Sequence, residues 1–474
     1  MSGRHPLTQV TLSMLPFADA GSDGLPLSRL LRLSLFQVSV GMASVMLLGT
    51  LNRVMIVELN VMAALVAAMV ALPVLVAPFR ALLGFRSDTY RSAIGWKRVP
   101  YIWFGSLYQF GGLAIMPFAL IILSGDQTWG PDWAGEAVAA ISFLMTGLGL
   151  HMTQTAGLAL AADQADDESR PRVVALLYVM FLIGMGISAL ILGWLLADFS
   201  KLRLIQVVQG AAVVTLVLNL IAVWKQESLA PMSREERAAP QPSFRLAWAD
   251  YLAGGQAGRL LAVVAIGTAA FSMQDVLLEP YGGEILGLSV SATTLVTAIW
   301  AAGALTGFAL AARALARAHD PVRLAAQAAM VGVVAFSLVI FSAPFELPVL
   351  FYLGAALIGY GAGLFAVATL TAAMAMSRAT GAGAGLALGA WGAAQATAAG
   401  IGIALGGALR DGVERIGETH LLGPAFDTPY VGYTVVYHLE IGLLFATLVA
   451  IGPLVRFVRP TQSEAPFGLA EFPS

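Results

Sequence analysis

Gly84-Phe-Arg-Ser-Asp88-Thr-Tyr-Arg91-Ser-Ala-Ile-Gly95-Trp-Lys97-Arg98 is the stretch on which the reading of the fold turns. It is short, polar and basic. The runs on either side, 60–83 and 99–124, are each long and apolar enough to cross a bilayer core as helices. Two such runs joined by a basic turn make a transmembrane hairpin, because only a helix satisfies its own backbone inside hydrocarbon. The same reading carried outward gives spans at 33–57, 137–162, 172–197, 203–224, 259–280, 290–312, 322–343, 348–376, 381–408 and 431–456. The expected fold is all-α, with about twelve transmembrane helices.

Charge sets the orientation. When alternate loops are counted from the N-terminus, one side holds twenty-one of the 26 Lys and Arg residues, including Arg4, Arg32, Arg91, Lys97, Arg98, Arg234, Arg317 and Arg459. The other side holds Arg53, Lys201, Arg203, Arg410 and Arg415. Positive residues stay inside, so both termini are expected in the cytoplasm, with an even number of spans. Reporter fusions after Arg91, Arg234 and Arg317 should read as cytoplasmic, and fusions after Gln127 and Lys201 as periplasmic; one swapped reading breaks the twelve-span order.

Composition agrees. The 474 residues are 58% hydrophobic and 11% charged, with a mean hydropathy of +0.80, whereas soluble domains carry about 25% charged residues. A net charge of −2 gives no argument for nucleic acid, which is not an expected partner, and the absence of cysteine excludes disulfides, thiolate metal sites and cysteine nucleophiles. The N-terminus is polar to about Arg32, without the short apolar stretch of a cleaved signal peptide.

Residues 226–258 form the one long connection. They hold Pro231, Pro240, Pro242 and the run Arg234-Glu235-Glu236-Arg237, then Phe244, Trp248, Tyr251 and Leu252 at helical spacing. We read a cytoplasmic linker ending in a short helix on the membrane surface. It divides the chain into six-span halves, 1–225 and 259–474, the second closed by a short cytoplasmic tail.

A Gly, an Asp and a basic cluster between spans 2 and 3 (Gly84, Asp88, Arg91, Gly95, Lys97 and Arg98) resemble the loop signature of the major facilitator superfamily, with a degraded copy at Ala311–Asp320. That resemblance implies two pseudo-symmetric six-helix halves and a cytoplasmic latch between helices. Three further stretches narrow it: Leu51-Asn-Arg53-Val-Met-Ile-Val-Glu58-Leu-Asn60, Gly95-Trp-Lys97-Arg98-Val-Pro100-Tyr-Ile-Trp103, and Gln274-Asp275-Val-Leu-Leu-Glu279-Pro280-Tyr-Gly-Gly283. Together they resemble the PucC/LhaA family, the bacteriochlorophyll delivery family of phototrophic bacteria, from about Leu30 to Arg459, with overall likeness leaning toward its LhaA-like members. The resemblance implies a non-enzymatic assembly factor for light-harvesting complexes in the inner (intracytoplasmic) membrane. Bacteriochlorophyll is then the expected cofactor. Expected partners are the antenna polypeptides, the reaction-centre–antenna core, bacteriochlorophyll synthase and membrane lipids.

Within that frame, histidines are the natural donors to a bacteriochlorophyll magnesium, the only metal expected. Two of the five lie inside spans. His151 sits near mid-membrane with Gln154 and Thr155 on the same face, and His438 lies in span 12. The competing reading is a histidine bonded to a neighbouring helix. Arg53, Glu58, Gln274, Asp275 and Glu279 form a charged group near the outer ends of spans 1 and 7. An unpaired charge there is costly, so Arg53 is expected to pair with Asp275 or Glu279, either as a feature for pigment, partner or gate or as a structural ion pair sealing the outer side. Gly359-Tyr-Gly361-Ala-Gly363 and Gly381-Ala-Gly383-Ala-Gly385 follow no strand and read as helix packing rather than nucleotide loops. Asp163-Gln-Ala-Asp166-Asp167-Glu168 is a single acidic cluster where a prenyltransferase needs two, so it reads as helix-end charge pairing. The alternative function is an ion-coupled secondary transporter using Asp275, Glu279, Glu440 and His151.

Overall fold

A computed structural model describes residues 21, 25–51, 55, 63–92, 94–123, 131, 133–166, 169–196, 200–228, 233, 243–253, 255–288, 290–379, 383–418 and 428–457. The described residues form α1 (Leu27–Val45, continuing as a π-helical turn Met46–Leu51), α2 (Ala63–Val76), α3 (Arg80–Asp88), α4 (Val99–Leu123), α5 (Ala134–Gln164), α6 (Arg170–Leu195) and α7 (Lys201–Val223). After the linker come α8 (Phe244–Ala253), α9 (Gln256–Ser272), α10 (Leu278–Glu284), α11 (Val290–Ala316), α12 (Pro321–Ser342), α13 (Pro348–Ala379), α14 (Ala384–Glu418) and α15 (Pro429–Phe457). Among these residues, ten helical stretches are long and apolar enough to cross a membrane. The other two predicted spans, 33–57 and 60–83, run through residues outside the described ones.

Local chemistry explains the helix starts. Asp320 caps α12 by accepting from the Val322 amide at 2.8 Å, with Pro321 in the first turn, and Ser200 caps α7 through the Arg203 amide. The Glu227 carboxylate accepts from the amides of Lys97, Arg98 and Val99 at 2.9–3.1 Å, so an anion from beyond the end of α7 covers the positive end of α4. Large apolar side chains such as Leu190, Trp194 and Val449 are more than 70% exposed, as expected where lipid rather than water is the outer solvent.

The packing repeats. In the first half α1 packs on α6 and α7, α4 on α5 and α7, and α2 on α5; in the second, α9 packs on α14 and α15, α12 on α13 and α15, and α11 on α13. Replacing each helix by the one six spans later converts the first set of pairings into the second. The halves meet where α14 crosses α3 and α5 and where α6 crosses α11 and α13, and the crossing of α14 on α3 lies at the Lys- and Arg-rich end of the bundle.

Three details differ from the sequence reading. Gly84 and Asp88 belong to α3 rather than to a loop, because the chain resumes helix after Pro73 and the 3-10 turn Ala77–Phe79 and keeps it to Asp88. Span 11 does not end near 408: α14 is one helix of 35 residues that carries Arg410 and Arg415. The linker helix does not simply rest on the bilayer. Tyr251 is 1% exposed, and α8 lays Phe244, Trp248 and Tyr251 against Phe85, Ala81 and Leu386, so its apolar face is covered by the basic end of the bundle. That burial pushes the Tyr251 phenol up to about 12.

Candidate functional site

At the basic end the two halves are sealed by an acid placed on a helix terminus. Asp88 accepts from the Gly385 and Leu386 amides at 2.8 and 2.7 Å, the first free N–H groups of α14, and also pairs with Arg98. Arg98, 3% exposed, continues to Asp163 at 2.9 Å and to the Ser87 hydroxyl at 2.6 Å. Burial works against charge on its guanidinium, but the Asp163 and Asp88 carboxylates outweigh burial and leave Arg98 above its ordinary value. The close approach of α3 and α14 depends on missing side chains: a methyl group on Gly84 would overlap the Gly385 carbonyl. Of the predicted latch residues, Gly84, Asp88 and Arg98 form this seal. Gly95 takes a left-handed φ of 86° in the following turn, Arg91 is half-buried, and Lys97 is exposed and takes part only through its amide. Of the acidic cluster, Asp163 pairs with Arg98 at the start of α4, and Asp167 and Glu168 lie outside the described residues.

Behind the seal lies Arg80, which is 2% exposed. Its Nε donates to Thr155 at 3.0 Å and its Nη1 to the Gly392 carbonyl at 3.4 Å, so one side chain ties spans 2 and 4 to span 11. It fits only because residue 392 has no side chain. His151 is in the same group. Its Nε2 donates to the Pro73 carbonyl at 2.9 Å, and its Nδ1 is buried without a partner. Gln154 turns instead toward Gln37, at 3.5 Å.

Between the halves is a cavity of about 330 Å³, lined by residues of α6, α9, α11, α13 and α14. Tyr178 and Phe308, stacked with centroids 5.1 Å apart, close its floor toward the basic end, and Gln395 faces the Tyr178 hydroxyl. Asp275 is exposed into this cavity and accepts from Gln274 Nε2, which also reaches the Phe271 carbonyl. Glu279 is exposed and takes a hydrogen bond from Thr297. The predicted partners Arg53 and Glu58 lie outside the described residues. Among the described residues Asp275 has no cation beside it. Its titratable neighbour is Glu440, which is wholly buried.

His438 stands elsewhere, exposed on the outer surface of α15. Its Nδ1 is 2.6 Å from the Thr434 carbonyl. A carbonyl only accepts, so Nδ1 donates to it, and Nε2 is the ring nitrogen left to face outward. Gly442, one turn away, has nothing within 4 Å of where a Cβ would stand, and Phe445 and Val449 continue the exposed stripe.

Sequence reading alone did not find Arg80 or Tyr178. An arginine in the last turn of a predicted span looks solvated at the cytoplasmic face, and only the three-dimensional crossing of α3 and α14 buries it.

A family model described as PUCC protein matches residues 50–458. The chain belongs to the PUCC protein family. One relative, an uncharacterized protein in the puhA-bchM intergenic region of Rhodobacter capsulatus, is 62% identical over 99% of each chain. Protein PucC of Rhodovulum sulfidophilum is 56% identical over 84% of this chain and 88% of its own. The fold is that of the major facilitator superfamily. The solved structure of FucP, a transporter of that superfamily in the outward conformation, superposes with a TM-score of 0.60 over 92% of this chain and 99% of FucP, at 13% identity. The PUCC match runs through both halves, so it takes in the seal, the cavity and the His438 stripe. The family and the fold are both non-enzymatic in kind.

Proposed function

We propose that this chain is an assembly factor for light-harvesting antenna complexes that carries bacteriochlorophyll on its lipid-facing flank. In this reading it is a twelve-span protein of the inner, intracytoplasmic membrane with both termini in the cytoplasm, and it hands pigment to antenna polypeptides. Family membership supplies the setting. The observation that carries the reading is His438: an imidazole held through Nδ1 by the Thr434 carbonyl, exposed on the lipid face, one turn from a glycine that leaves the surface flat. His438 would hold the pigment through its magnesium, and the Thr434 carbonyl, by accepting from Nδ1, would orient that donor. When bound, the pigment supplies light absorption, and the chain's part is to hold it and keep it out of water. His151 fits this role less well, because its Nε2 is already engaged with Pro73 and its Nδ1 is enclosed beside Arg80.

The two histidines should therefore separate. Purified from a phototrophic host, His438→Leu should lose the pigment absorbance carried by the wild type and should fail to restore antenna assembly in a strain lacking the protein. His151→Leu should keep pigment but lose about 1–3 kcal/mol of stability, since the Pro73 carbonyl is left without its donor. A His438→Leu protein with wild-type pigment per chain sinks the reading.

The cavity and its exposed Asp275 favour a second reading, a secondary transporter. Ion-coupled solute flux in proteoliposomes would establish that one, and pigment on the flank the first.

A further inference from the structure

Glu440 is 0% exposed, and neither carboxylate oxygen makes a hydrogen bond of normal geometry. It lies eleven residues into α15 from Pro429, about 16 Å along the axis, where hydrocarbon surrounds the bundle. The groups around it can be named element by element. From the 3-10 turn Met273–Val276 come the Gln274 backbone and Asp275; from α15 itself comes Tyr437, whose hydroxyl is also buried without a partner; Tyr281 of α10 and Tyr433 lie beyond. Arg410, one of the two arginines of α14 on this side, is already engaged by Glu284, Asp411, Glu414 and the Tyr433 ring. No Lys, Arg or His of the described residues reaches Glu440. An ionised carboxylate there, next to a second carboxylate, would carry a large desolvation penalty with nothing to offset it. Asp275, by contrast, faces the cavity.

We propose that Glu440 is a proton-binding site loaded from the central cavity through Asp275. In loading, a hydronium ion in the cavity protonates the Asp275 carboxylate and leaves as water. One side chain then turns toward the other, the Asp275 O–H breaks as an O–H forms on Glu440, and Asp275 returns to its ionised form. Unloading is the reverse. The neutral acid is the form that an unpartnered, water-free position tolerates, and the exposed aspartate gives that position its path to solvent. This goes beyond antenna assembly and does not depend on it: it gives the chain a single protonic charge that enters or leaves from the cavity side.

The test is infrared difference spectroscopy on the full chain in detergent, read at the carbonyl stretch of a protonated carboxylic acid. The wild type near neutral pH should show a band that shifts in deuterated buffer and is missing from Glu440→Gln. Asp275→Asn should keep the band but slow its deuterium shift by about a hundredfold, the scale of a lost proton relay. A wild-type spectrum identical to that of Glu440→Gln overturns the proposal, because Glu440 is then ionised. An Asp275→Asn protein that exchanges as fast as the wild type overturns the path. Glutamine is the nearest mimic of the protonated acid, so a Glu440→Gln chain that fails to fold also counts against it. A band that appears only when sodium is removed would mean that a metal cation, not a proton, neutralises the site, and would overturn it too.

Discussion

Arg98→Ala should cost about 3 kcal/mol of stability and abolish function in the cell. The guanidinium it removes touches Asp88, Asp163 and Ser87, and on the Asp88 side both partners are nearly buried, with side chains 4% and 11% exposed. Without it, a carboxylate remains pressed against the start of α14 while a second one, on Asp163, faces it without a cation between. The Asp163 contact adds little, since that side chain is 42% exposed and water screens it. The measurement is the unfolding midpoint in detergent together with the folded fraction on gel filtration. Because Asp88 and Arg98 act as a unit, Asp88→Asn combined with Arg98→Ala should cost less than the two singles added together. Strict additivity would mean that they stabilise the protein separately, and the seal as described would be wrong.

Gly84→Val should prevent the basic end from closing. The obstruction is backbone on backbone: the new side chain meets the Gly385 carbonyl and the Gly389 Cα, neither of which can rotate away. The chain has no cysteine, so a single introduced thiol reports cleanly. Ala387 is fully buried under this contact. In Ala387→Cys the thiol should resist a membrane-impermeant maleimide, and adding Gly84→Val should raise its labelling rate by about tenfold or more, the effect of 1–2 kcal/mol on local opening. Arg86→Cys, exposed in either case, is the control. Unchanged protection at residue 387 would show that α3 and α14 part elsewhere.

The fold was legible because the signal for a span is summed over about 20 residues and because Lys and Arg mark one side; single substitutions disturb neither. Gly84, Asp88 and Arg98 were legible as a latch, but not what they hold. The atoms Asp88 holds are backbone amides of Gly385 and Leu386, and every residue has an amide, so sequence gives no sign of which helix start will arrive. His151 and His438 looked alike as isolated imidazoles within apolar runs. What separates them is which face each presents, and a span that is apolar all round hides its own orientation. Glu440 could be named as a candidate but not placed beside Asp275, since spans 7 and 12 become neighbours only through the packing of α9 on α15. The Arg53–Asp275 pairing rests on residues outside the described ones.

The length of α14 has a mechanical consequence. Its 35 residues make a rod about 52 Å long, some 20 Å more than the hydrocarbon needs. Its foot is held by Asp88, and its far third carries Arg410, Asp411 and Glu414. Moving as a unit, such a rod is a lever: a tilt of about 10° at the foot sweeps the tip through about 9 Å. Along the way Gly402 and Gly406 lie against the backbone of Ala269 and Met273, so the same swing presses on the turn that holds Asp275. Release at one face of the membrane and displacement at the other would then be a single rigid motion, with no relay of side chains in between.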